Sequence, residues 1–310
     1  MKQLIVNADD FGLTKRVSEA IVEAHRHGIV TSTTLMANGA AFEAATALSR
    51  QMPGLGIGVH LNLSEGMPVS PVPRIPSLLN ARGRLYLTPG RLWRAIAARR
   101  ISLADVETEL RAQIAKIHRA GILPTHFDGH KHVHILPGVS DIVIRLLQEF
   151  SVSSVRCPLE EPPGLFHMLA RRRLSCSCTP AGAARASILK QYLVGRGVSA
   201  LARRFKQRLA EAGLACPTHF YGISQTGFLD ARGIHDVLRQ LPEGTSELMC
   251  HPGYVDVELV RTGTRLLGER ETETSALRSR FIRSFLAGSG IRLVNYNALA
   301  VLSHSSAAAA

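Results

Sequence analysis

The chain has 310 residues, 45% of them hydrophobic and 20% charged, with a net charge of +13. That size allows a well-buried core in one large domain or two small ones, and the lack of any run of 18 apolar residues excludes a membrane-spanning helix. The five cysteines are odd in number and scattered, which excludes a disulfide scaffold.

Met1-Lys2-Gln3 leads directly into Leu4-Ile5-Val6, a short buried-strand candidate, and then into Asn7-Ala8-Asp9-Asp10. This start is too short and too quickly acidic for a signal peptide, so a cytoplasmic protein is expected. Thr14 is placed to cap a helix that runs to about His27 and stops at Gly28. Residues 56–63 alternate with period two, with Ile57, Val59, Leu61 and Leu63 on one face and His60 and Asn62 on the other. The Pro- and Gly-rich stretch 67–89 reads as a loop. Ser102-Leu103-Ala104-Asp105 reads as a capping box, followed by a helical stripe of Leu103, Val106, Leu110, Ile114 and Ile117. Further strands are expected at 124–127, 153–157, 247–250 and 291–294, with a helix over 139–150. The final Ala307 to Ala310 reads as a frayed tail. Strands alternating with helices predict an α/β fold with a parallel sheet, closed into a barrel or nearly so. In such folds chemistry gathers at the C-terminal strand ends, where Asp9-Asp10, Asp128–His130 and His251 all fall.

The segment Thr125-His126-Phe127-Asp128-Gly129-His130-Lys131-His132-Val133-His134 places four of the chain's 13 histidines and one aspartate at every second position. If it is extended, all five polar side chains face one way, an arrangement suited to a divalent metal. Asp9 and Asp10 repel each other, so a pair past a buried strand needs a cation or a proton; the alternative is a helix N-cap. His60 and His251 are each weak signals alone. Between residues 165 and 210 stand ten Lys/Arg and no Asp or Glu, with Leu193, Val194, Val198, Leu201, Phe205 and Leu209 interleaved. A solvated basic helix face is the ordinary explanation. An anionic membrane surface is the functional one, and nucleic acid fits poorly because aromatics for base stacking are few. Cys176-Ser177-Cys178 lacks a second pair at zinc-ribbon spacing and reads as structural or incidental.

Five motifs in order resemble those of the YdjC/ChbG-like carbohydrate deacetylases. They are Asn7-Ala8-Asp9-Asp10-Phe11-Gly12, Gly28 to Thr34, Gly58-Val59-His60-Leu61-Asn62-Leu63, Thr125 to His134, and Met249-Cys250-His251-Pro252-Gly253. The resemblance is poorest near 165–210, which reads as a basic insertion in a single domain over 1–310. It implies an irregular (β/α) barrel related to the NodB-like polysaccharide deacetylases. The implied activity is metal-dependent removal of the acetyl group from an N-acetylated amino sugar, an N-acetylglucosamine oligosaccharide or glycolipid, with release of acetate. It also implies one divalent ion, Mg²⁺ or Zn²⁺, held by Asp10, His60 and His130. Asp9 matches the general base and His251 the general acid. His126, Asp128, His132, His134 and Arg156 would support the ligands or contact substrate.

A hopanoid biosynthesis-associated (HpnK-like) subset of the family resembles deacetylases of lipid-linked sugars, and the basic segment would suit peripheral contact at the inner membrane face. A homodimer is also an expectation. Two competing readings remain at this level. One is a metal-dependent phosphoesterase, for which no Gly-rich phosphate cradle is seen. The other is a non-enzymatic metal- or nucleic-acid-binding protein, which has no need of Asp9 beside Asp10 or of a distant His251.

Overall fold

The structure, a computed structural model, describes residues 1–160 and 181–299, the side chains of 181–188, 190 and 191 apart. Its sheet is built from β1 (Lys2–Phe11), β2 (Ser32–Leu35), β3 (Gly56–Leu61), β4 (Phe127–Gly129), β5 (His219–Tyr221), β6 (Gly244–Cys250) and β7 (Arg292–Leu293). The strand order is β4-β3-β2-β1-β6-β5, with β7 paired to the start of β1. Every pairing is parallel, so each strand must be reached by a crossover, and helices serve for most of them. Single parallel bridges join Phe127 to Val155 and Ser154 to Ala215. Because Ala215 leads into β5, these bridges bring the sheet round into an irregular barrel.

The expected elements are present with different bounds. β1 runs to Phe11, so Asp9 and Asp10 lie within the strand, in the register irregularity between Ala8 and Phe11, rather than after it. The 153–157 strand reduces to the two bridges, and 291–294 to two paired residues. Thr14 caps its helix, accepting from Val17 N at 3.2 Å. Ser102 also caps its helix, accepting from Ala104 N, but the box is not closed by Asp105. That carboxylate instead accepts from the backbone N and hydroxyl of Ser77 at 2.9 and 2.8 Å, pinning the 67–89 loop. Val106, Leu110, Ile114 and Ile117 are fully buried, while Leu103 is 42% exposed.

The alternation proposed for 126–134 does not persist. β4 ends at Gly129, and His130–Ile135 turns into a 3₁₀ segment with Lys131 and His132 in the left-handed region, φ 54° and 58°. The five polar side chains therefore do not form one row.

Side chains that point inward are stacked in layers. The floor is Ile5, Val294, Tyr296 and Leu299, with His126 stacked on Tyr296 at 3.5 Å and 4°. Glu247, in register with Ile5, and Arg156 are buried beside it, and at the C-terminal mouth stand Asp9, Asp10, His60, Asp128 in register with His60, and His130. The basic segment is in part a long helix, Ala181–Glu211. Its Ala202, Phe205 and Leu209 are buried, whereas Leu193 and Val194 are 59% and 47% exposed. Arg171, Arg172, Arg173, Cys176, Cys178 and the Ala307 to Ala310 tail lie outside the described residues. No helix among the described residues is long and apolar enough to cross a membrane.

Candidate active site

Neighbours in a regular strand point to opposite faces. Asp9 and Asp10 nevertheless both reach the barrel mouth, because the register slips between Ala8 and Phe11 and Asp10 takes φ +70°. Such a bulge re-aims a side chain at the cost of one pairing.

Three ligand-type atoms converge there. Asp10 Oδ1 lies 3.1 Å from His130 Nδ1 and 3.4 Å from His60 Nε2, and the two ring nitrogens are 3.2 Å apart. The far nitrogen of each ring is engaged by a carboxylate. His60 Nδ1 donates to Asp128 Oδ1 at 2.7 Å and His130 Nε2 to Glu65 Oε1 at 2.8 Å. A carboxylate can only accept, so each pairing places a ring proton outward and makes the inner nitrogen the one that can offer a lone pair once it is unprotonated. Two ring nitrogens and a carboxylate oxygen facing one point form a set that could hold a cation. Donors that share an ion at roughly 2.1 Å lie about 3.0–3.4 Å from one another. Asp10, His60 and His130 therefore fit a divalent metal.

Electrostatics agree. Burial opposes the Asp10 charge, but Arg270 and the two imidazoles outweigh it and hold its carboxyl well below the ordinary range. Burial likewise opposes a charged His60, yet Asp128 and Asp10 push it up to about 10. A group so eager for a proton is one whose surroundings call for positive charge. Glu65 is drawn down to about 2, the hydrogen bond from His130 and the ion pair with Lys131 prevailing over burial.

A second cluster of Asp9, His60 and Asp128 also has ligand spacing, but there the cation is already present. Arg156, wholly buried, donates Nη1 to Asp9 Oδ2 and Nη2 to Asp9 Oδ1, both at 2.7 Å. It also lies 2.6 Å from Asp128 Oδ2 and donates Nε to Glu247 Oε1 at 2.8 Å. Tyr296 donates to the other Glu247 oxygen at 2.6 Å. Burial pushes Glu247 up to about 7, against Arg156 and Tyr296. Asp9 Oδ1 accepts additionally from Asn7 Nδ2, which leaves Oδ2 as its less committed oxygen. His251 Nε2 stands 3.9 Å from that Oδ2, and burial pushes His251 down to about 4.

The remaining expected residues are not at the centre. His126 lies on the floor, 0% exposed, with Thr125 Oγ1 on its Nδ1 at 2.9 Å. His134 is fully buried and hydrogen-bonds the Arg156 carbonyl at 3.1 Å, so it steadies the segment that carries the guanidinium. His132 is edge-on to Phe220 with centroids 6.1 Å apart.

Sequence reasoning missed Glu65, Arg270 and the role of Glu247. Glu247 had a signal, since a carboxylate inside a buried strand demands a partner. Glu65 sits just past the Gly58–Leu63 motif. Arg270 lies in a helix that reads as an ordinary charged one.

An α/β barrel with a candidate metal triad at the C-terminal ends of its strands is the class that fold and site together define. Comparison with known proteins narrows it. The YdjC-like protein family matches residues 3–288, and the chain belongs to that family. A carbohydrate deacetylase of Brevibacillus brevis is 34% identical over 297 residues, covering 96% of this chain and 99% of that one. A chitooligosaccharide deacetylase of Serratia marcescens is 33% identical over 299 residues, with 96% and 99% covered. A human carbohydrate deacetylase is 36% identical over 264 residues, with 82% of this chain and 76% of that one covered. A crystal structure from Enterococcus faecalis has the same fold, with TM-score 0.71, 24% identity, and 96% and 98% of the two chains covered.

Proposed function

We infer that the protein is a carbohydrate deacetylase that hydrolyses the acetamido group of an N-acetylated amino sugar, releasing acetate and the free amine. The observation that carries this is the triad of Asp10, His60 and His130 with its inner atoms facing one point, beside the Arg156-held carboxylate of Asp9 and the imidazole of His251. Membership of a family whose relatives are carbohydrate and chitooligosaccharide deacetylases supports it. The match over 3–288 supports treating the chain as one catalytic unit.

The triad would hold one divalent ion, which when bound supplies Lewis-acid polarisation of the acetyl carbonyl and a more acidic water. Two imidazole donors favour Zn²⁺ over Mg²⁺, which prefers oxygen ligands. Asp9 acts as general base through Oδ2, the oxygen left with accepting capacity, while Arg156 fixes its plane. His251 is neutral at pH 7, so it must receive a proton before it can protonate the leaving nitrogen. Its position 3.9 Å from Asp9 Oδ2 puts the proton removed from water a short step away. A cytoplasmic setting is consistent with the free thiols of Cys157, Cys216 and Cys250. The exposed Leu193 and Val194 beside the exposed Arg196 support including lipid-linked sugars among the substrates.

The test is acetate release from a panel of N-acetylglucosamine compounds, soluble and lipid-linked, with metal analysis of the same sample. His130→Ala is expected to lose both metal and activity. Asp9→Asn is expected to keep its metal and lose about 10²–10⁴-fold in kcat. Full activity in Asp9→Asn would overturn the base assignment, and no acetate from any compound would overturn the substrate class.

A further inference from the structure

Asp10 and His251 come from the ends of β1 and β6, and a reaction that uses both needs them fixed against each other. The helix Gly268–Leu277 does this from outside the sheet. Its Arg270, Glu273 and Thr274 are 2%, 1% and 2% exposed, and at i, i+3 and i+4 they share one face. Burying two ionisable groups on a helix is costly without specific partners, and Arg270 Nη2 and Glu273 Oε2 find theirs at the site. Arg270 Nη2 donates to Asp10 Oδ2 at 2.6 Å. Glu273 Oε2 accepts the His251 N–H at 2.6 Å, and Thr274 Oγ1 accepts the Gly253 N–H at 2.9 Å. Gly253 suits this close fit, since a Cβ there would stand 3.0 Å from Arg270 Cδ and 3.1 Å from Val17 Cγ2 and press on both. By occupying Oδ2, Arg270 leaves only Oδ1 of Asp10 facing His60 and His130.

We propose that this helix is the positioning element of the site, with Arg270 aiming a single oxygen of Asp10 at the ion and Glu273 with Thr274 setting the backbone of His251 against it. The proposal rests on the reading of Asp10 as a ligand and His251 as the proton donor. It divides the labour: Arg270 governs metal affinity, and Glu273 governs turnover.

The test uses the full chain and measures Zn²⁺ affinity by competition with a chromophoric chelator in the absence of substrate, together with kcat and KM for acetate release. Arg270→Met should weaken Zn²⁺ binding about 10–100-fold, and Arg270→Lys should recover part of that loss. Glu273→Met should leave Zn²⁺ affinity within about twofold and lower kcat about tenfold or more with little change in KM. Glu273→Gln should restore kcat, because its amide oxygen can still accept the His251 N–H. If Arg270→Met does not fold, Arg270→Gln, which lacks the charge, decides in its place, and wild-type affinity in it overturns the proposal. His130→Ala is the reference. If it loses Zn²⁺ while the Arg270 variants do not, the positioning role is wrong and the metal site stands. If His130→Ala keeps Zn²⁺, the metal reading itself is wrong. A loss of Zn²⁺ in Glu273→Met equal to that in Arg270→Met would overturn the division of labour.

Discussion

Asp10 holds φ at +70°, a region in which non-glycine residues are uncommon and cost energy to hold. Its strain is offset by the salt bridge to Arg270 at 2.6 Å and, with metal, by coordination. The same residue sets the proton chemistry. With Asp10 and Asp128 on either side, His60 is pushed up to about 10, so an ion held by its inner nitrogen would have to displace a proton. Metal binding should therefore tighten as pH rises towards that value and release at least one proton per ion at pH 7, since, against burial, Asp10 and Glu65 push His130 up as well. Calorimetry in two buffers of different ionisation enthalpy counts the protons; none released would mean that His60 is not a ligand. At this scale the sequence was informative about identity and silent about geometry. Asp9, Asp10, His60 and His130 are legible from residue type and resemblance, because ligands must be these few chemistries. Which of Asp9 and Asp10 meets the imidazoles and which meets a guanidinium follows from a bulge that no residue pattern announces.

Two elements show where periodicity succeeds and fails. In β3 the alternation is real: Val59 and Leu61 enter the core and His60 turns inward. Gly58, on the same inward side, has a reason visible only in three dimensions. A Cβ there would lie 2.5 Å from His126 Cε1 and 2.7 Å from the His126 carbonyl oxygen. Gly58→Ala should destabilise by roughly 1–3 kcal/mol through overpacking, read as a lower urea midpoint at unchanged slope; an unchanged midpoint would mean the ring moves freely. After Gly129 the alternation of histidines ceases to be structural, because Lys131 and His132 turn left-handed. The period-two pattern persisted in the letters while the backbone changed. In the helix Leu103–Arg119, apolar spacing gave the buried stripe except for the exposed Leu103, and Asp105 exchanged a local cap for Ser77 across the loop. A partner distant in sequence outcompeted the near one.

At the scale of the whole molecule, burial inside the barrel keeps His126 and His134 uncharged. Burial pushes them down to about 3 and about 4, against about 6.5 in the unfolded chain. Below about pH 6.5 the unfolded chain takes protons that the folded one refuses, so their contribution is complete above that pH and is lost as pH falls towards 4. Each costs up to about 1.4 kcal/mol per pH unit. His126→Phe keeps the stack on Tyr296 and should flatten the stability curve between about pH 6 and pH 4; an equal acid slope in that variant would exclude His126 as its source. The sequence by itself determined the α/β class, the strand-end placement of the site and the residue types that make it, since these follow from local periodicity and from the narrow chemistry of metal ligands. Only the tertiary structure decided the bulge at Asp10, the guanidinium that claims Asp9, and the outer helix whose Arg270 and Glu273 hold the site together. Those depend on contacts between residues up to 260 positions apart, and no local pattern records them.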